Sequence, residues 1–114
     1  MLFRSIQAAG SVTKALAAAR THAPDLPCEI EVDTLSQLDE ALAEGAELIL
    51  LDNFTPEQCA EADRRTQSTP TLLEASGGLT LPTARTYADT GVHYLAVGAL
   101  THSAPALDLG LDLR

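Results

Sequence analysis

Carboxylates and glycine turns stand where chemistry is expected in this chain. Glu31 belongs to the alternating stretch Cys28–Val32, and Asp52 follows the apolar run Leu48–Leu51. Glu31 faces opposite to Ile30 and Val32: in a sheet open on that side it is a solvated side chain. In a closed barrel it points into the mouth, where a carboxylate without a function is costly. Asp52 is either functional or a helix-entry residue, since Asp favours such positions. Asp33 reads as a turn residue before Thr34. Further on, Ser76-Gly77-Gly78 permits positive φ and close approach of backbone to a ligand, and its N–H groups can line an anion site. Val97-Gly98-Ala99 repeats the device, and paired glycine-bearing loops before helix starts are how barrels hold phosphate groups. His102 is the histidine near this candidate site; His22 reads as a solvated helix-end residue, and His93 starts a strand. None of the seven basic residues falls at the C-terminal end of a predicted strand, so a phosphate here rests on backbone N–H donors.

These residues need elements to carry them. Ser11 can cap a helix reaching Arg20, with Val12, Leu16 and Ala19 on one face. Cys28–Val32 has the period of a strand, and Thr34-Leu35-Ser36-Gln37 opens a helix that Gly45 stops. Leu48–Leu51 reads as a strand buried on both faces. Thr55-Pro56-Glu57-Gln58 combines an N-cap, a first-turn proline and a capping-box glutamine. Thr71–Leu73 is the third strand, with Ser76–Gly78 as the loop after it. Thr80 caps a helix with Pro82 in its first turn, and Val92–Val97 is the fourth strand. A short helical turn and a Leu-Asp-rich tail complete the reading. Strand starts near 28, 48, 71 and 93 repeat every roughly 20–23 residues, the length of a βα unit with a right-handed crossover. The fold class is therefore α/β, with four parallel βα units; periodicity alone does not separate a small doubly wound sheet from part of a (β/α) barrel.

The chain has 114 residues, enough for one domain, and 46% of them are hydrophobic. Its 7 basic and 16 acidic residues leave a net charge of −9, which argues against a nucleic-acid backbone or an anionic membrane surface as partner. No apolar run approaches the roughly 20 residues of a membrane span, and no signal-peptide stretch forms near Met1. Cys28 and Cys59, without a C-x-x-C, read as free thiols of a cytoplasmic protein.

Four ordered motifs carry a family resemblance: Cys28–Asp33, Leu48–Phe54, Leu73–Leu79 and Thr90–Ser103. Together with Ala106–Leu109 they resemble the quinolinate phosphoribosyltransferases, over about residues 8–114. The resemblance implies a dimeric two-domain enzyme with an α/β sandwich and an incomplete (β/α) barrel. Residues 1–114 are then expected to form the C-terminal portion of that barrel, with the sandwich and first barrel strands outside them. It implies conversion of quinolinate and phosphoribosyl pyrophosphate to nicotinate mononucleotide, pyrophosphate and CO2. Carried over, Glu31 and Asp52 match the carboxylates that approach the ribose hydroxyls and the Mg²⁺-bound donor. Ser76, Gly77, Gly78, Val97, Gly98 and Ala99 match the 5′-phosphate loops, and His102 belongs to the same motif. Where the family has Lys-Asp-Asn-His, this chain has Met1–Ser5, and the arginines that clamp quinolinate have no counterpart. The chain therefore resembles the ribose-and-phosphate half of an active site and is expected to be inactive alone. The alternatives are a related phosphoribosyltransferase with a different base, and a phosphate-binding half-barrel without catalysis.

Overall fold

The computed structural model describes residues 4–7, 12–22, 25, 28–97 and 104–105. In chain order the elements are β1 (Arg4–Gln7), α1 (Val12–His22), β2 (Cys28–Val32), α2 (Leu35–Ala43), β3 (Leu48–Asp52), α3 (Pro56–Thr66), β4 (Leu72–Leu79), α4 (Leu81–Ala88), β5 (Tyr94–Val97) and β6 (Ala104–Pro105). The strands form one sheet in the order of the sequence. β1 through β5 are parallel, and β6 closes the edge antiparallel to β5.

That order decides between the two architectures left open by periodicity. A doubly wound sheet reverses its strand order and puts helices on both faces. Here the order never reverses, so right-handed crossovers set every helix on the same face, as in part of a (β/α) barrel. The core confirms the layering. Ile30 and Val32 of β2, Ile49 and Leu51 of β3, Leu73 and Ala75 of β4 and Leu95 of β5 pack with Leu16, Leu38, Ala41, Cys59, Ala62 and Ala84 of the helices. Burying each of the larger side chains contributes roughly 1.5–3 kcal/mol.

Local chemistry sets the helix starts as the sequence indicates. Thr34 caps α2 by accepting from the Gln37 N–H at 3.1 Å. Thr55 and Gln58 form a reciprocal capping box with Pro56 at the first position of α3. Thr80 and Thr83 form another ahead of α4. The expected cap of α1, Ser11, lies outside the described residues. At the far end of α1, the Arg20 guanidinium donates to the carbonyls of Glu44 (2.6 Å) and Gly45 (3.0 Å), which terminate α2. That satisfies acceptors at a helix C-terminus and places a cation against the negative end of its dipole.

Two expectations are corrected, and two strands are added. The third strand does not end before Ser76: β4 continues through the two glycines to Leu79, and its pairing with β5 shifts register between Ala75 and Leu79. The glycines are thus a bulge inside a strand, because the chain there still pairs while it bends. The fourth strand is shorter than read, starting at Tyr94. β1 and β6 were not anticipated; each is too short to show a period, and each is held by its neighbour's ladder. Among the described residues, no helix is long and apolar enough to cross a membrane.

Burial also governs the cysteines, both of which are free. Desolvation pushes the Cys59 thiol up to about 12. Because folding raises this value, the stability it contributes is complete below the unfolded thiol's pKa and is lost as pH climbs toward about 12. Native Cys59 is expected to resist iodoacetamide at pH 8 and to react only as fast as the chain opens. Peptide mapping after alkylation checks this, and modification within minutes in the absence of denaturant contradicts it.

Candidate functional site

Successive side chains of a strand point to opposite faces, and register partners in the parallel ladder share a face. Glu31 pairs with Leu50, Leu50 with Glu74, and Glu74 with Tyr94. Two residues along each strand, on the same face, Asp52 pairs with Ser76. Glu31, Asp52, Glu74 and Ser76 therefore all lie on the face away from the helices, which is the interior face of a barrel. Its C-terminal rim is where barrel sites gather.

At that rim Glu31, Asp33 and Asp52 converge, with one carboxylate oxygen from each within 4.8 Å of the others. Glu31 and Asp52 are half-buried and Asp33 is exposed. All three offer carboxylate oxygen, the donor type that hard divalent cations take. Asp33 does act as a turn residue, its N–H donating to Gln37 Oε1 at 2.7 Å. Its carboxylate nevertheless joins the cluster, which the sequence reading missed. The available signal was period two carried one step past β2: positions 31 and 33 fall on one side. Glu74, 7% exposed, falls within the Leu73–Leu79 motif and lies on the same face two residues before Ser76, although the sequence reading gave it no role.

Beside the carboxylates runs the glycine bulge. Gly77 and Gly78 adopt φ of +100° and +72°, a region that costs side-chain-bearing residues roughly 1–2 kcal/mol. They differ in surroundings. A Cβ at Gly77 would overlap Asn53 Oδ1 and lie 2.7 Å from the Asn53 nitrogen, whereas at Gly78 it would meet open space. The Asn53 N–H donates to the Ser76 carbonyl at 3.0 Å. The end of β3 and the bulge of β4 are thereby locked together, and Asp52 and Ser76–Gly78 form one continuous surface.

Of the remaining candidates, the Val97 side chain, Gly98, Ala99 and His102 lie outside the described residues. His93 serves the framework, since its Nδ1 accepts the Leu73 N–H at 3.0 Å. Arg20 caps α2, while Arg64 and Arg65 bind Glu61, and Arg65 also binds Asp39, across the helical surface. Hydrogen bonds from Arg64 and Arg65 hold the Glu61 carboxyl below its ordinary range. These three guanidiniums are thus engaged on the helical layer rather than at the rim.

Sequential parallel strands, helices on one face and acidic and glycine-bearing strand ends define a protein of the (β/α)-barrel class. Within that class, residues 2–112 match the family model described as quinolinate phosphoribosyl transferase, C-terminal domain. The chain belongs to that family. It is 62% identical over 110 residues to the carboxylating nicotinate-nucleotide pyrophosphorylase of Mycobacterium leprae, covering 95% of this chain and 39% of that enzyme. The corresponding human enzyme is 39% identical over 111 residues, covering 95% of this chain and 37% of its own length. Among solved structures, nicotinate-nucleotide pyrophosphorylase from Francisella tularensis superposes with a TM-score of 0.78 at 31% identity, covering 89% of this chain and 38% of that one. The chain thus spans less than two-fifths of the length of these relatives.

The contrast between the two glycines gives a direct check. Gly78→Ala is expected to cost roughly 1–2 kcal/mol from its φ alone. Gly77→Ala adds overlap with Asn53 and is expected to cost more, roughly 2–4 kcal/mol. Urea midpoints of the two variants measure the difference; equal midpoints contradict the close approach.

Proposed function

We propose that the chain supplies the ribose- and phosphate-binding half of a carboxylating nicotinate-nucleotide pyrophosphorylase, acting on quinolinate and phosphoribosyl pyrophosphate. The observation that carries this reading is the shared rim: Glu31 and Asp52 open on the same face as the Ser76–Gly78 bulge, in a chain matched by the family over residues 2–112.

In this reading the pyridine nitrogen forms a bond to the anomeric carbon while the bond to pyrophosphate breaks. The ring carboxylate beside that nitrogen then leaves as CO2, and a proton takes its place. Loss of pyrophosphate puts cationic character on the ribose. Glu31 and Asp52 stabilise that charge and accept hydrogen bonds from the ribose hydroxyls, an effect realised chiefly in the transition state. Backbone N–H groups of Ser76, Gly77 and Gly78 hold the 5′-phosphate, with Val97, Gly98, Ala99 and His102 as the second phosphate-binding segment. The all-oxygen donor set of Glu31, Asp33 and Asp52 suits a hard divalent cation, and Mg²⁺ held there would offset charge on the leaving pyrophosphate. The pyridine carboxylates need cationic partners, which are assigned to segments outside this chain, and the working unit is a homodimer.

Calorimetric titration of the chain with phosphoribosyl pyrophosphate and Mg²⁺ is expected to show saturable binding that Gly77→Val abolishes. Unchanged affinity in that variant contradicts the phosphate assignment. In a full-length enzyme carrying this chain, Glu31→Gln and Asp52→Asn are each expected to lower turnover roughly hundredfold while quinolinate affinity changes little. Steady-state kinetics separate the two quantities, and a collapse of quinolinate affinity at unchanged turnover overturns the roles given to the carboxylates.

A further inference from the structure

Asn53 has no role in the reading above, yet four features converge on it. Among the described residues it is the one non-glycine with positive φ, at 57°. Its N–H donates to the Ser76 carbonyl at 3.0 Å, extending the contact between β3 and β4 one step past the pair formed by Asp52 and Ser76. Its side-chain Nδ2 donates to Asp52 Oδ2 at 3.5 Å. Its Oδ1 occupies the space that a Cβ on Gly77 would need. The carboxamide therefore lies between the carboxylate at the end of β3 and the bulge in β4.

The geometry points to Asn53 as a positioning residue that fixes the spacing between the carboxylate rim and the Ser76–Gly78 turn, so that the two engage opposite ends of one phosphorylated sugar. The identity of that ligand rests on the function proposed above; the spacing role rests on the contacts just named. Asparagine tolerates the left-handed backbone better than most side chains. Glycine would tolerate it too, but would leave empty the space that the carboxamide fills over Gly77. Aspartate would fit the backbone and the space, but would set another negative charge against Asp52. A sugar phosphate bound at both ends needs both anchors at one separation, and small misplacements of such anchors are expensive.

The test compares two probes on the isotopically labelled chain, each titrated by NMR. Inorganic phosphate reaches only the turn, whereas ribose 5-phosphate reaches the turn and the carboxylates. Asn53→Gly keeps the left-handed backbone and the N–H bonded to Ser76 while removing the carboxamide. This variant is expected to lose at least about tenfold in affinity for ribose 5-phosphate while its affinity for inorganic phosphate changes little. Equal losses for both probes show damage to the turn alone and overturn the spacing role; no loss for either overturns it as well. Asn53→Ser, which also removes the carboxamide without adding charge, is expected to show the same selective loss and serves if the glycine variant fails to fold. A wild-type chain that responds to neither probe overturns the ligand reading instead. The spacing role is then decided by the ligand-free Gly77 and Gly78 amide signals, which must move in Asn53→Gly; unmoved signals overturn it.

Discussion

The register between β3 and β4 is the constraint on which the rim depends. Asp52 sits opposite Ser76 because Ile49 pairs with Leu73 and Leu51 with Ala75, and those four side chains lie in the buried layer between sheet and helices. A slip of one residue would turn this apolar set outward and carry Asp52 and Ser76 into the core. The hydrophobic pattern that stabilises the sheet therefore also aims the carboxylates, and the hydrogen bond from Asn53 to Ser76 extends the alignment just beyond the ladder.

Much of this was legible because it is local. Thr55-Pro56-Gln58 and Thr80 mark their helix starts through hydrogen bonds spanning three residues, and the structure contains those bonds. Glu31 was assigned to the face opposite Ile30 and Val32 by period two alone, and it lies there. The glycines of β4 were misread because two positive-φ residues are a turn signal in isolation; pairing with neighbours, a tertiary effect, keeps them in a strand. Asp33 was given only its backbone role, since its place before Thr34 reads as a turn and period two was not carried past the end of β2. Asn53 carries no local signal beyond its tolerance of the left-handed region. Its meaning lies in what Gly77 lacks. Short edge strands such as β1 and β6 are set by the neighbours they pair with.

Electrostatics underlies the division of labour proposed for the rim. With a net charge of −9 and Arg20, Arg64 and Arg65 bonded on the helical layer, the phosphate site proposed at the bulge rests on neutral N–H donors. Oriented backbone dipoles can hold an anion without adding positive charge. The carboxylates of Glu31 and Asp52 stand on the neighbouring strand ends. The proposed roles, anion binding at the bulge and cation stabilisation at the carboxylates, suit a substrate that carries a phosphate at one end and becomes cationic at the other.

The most direct test of this account is a crystal structure of the chain soaked with phosphoribosyl pyrophosphate and Mg²⁺. The account predicts the 5′-phosphate against the N–H groups of Ser76–Gly78, with the ribose hydroxyls turned toward Glu31 and Asp52. Phosphate bound on the helical layer, or a ribose directed away from both carboxylates, would contradict it.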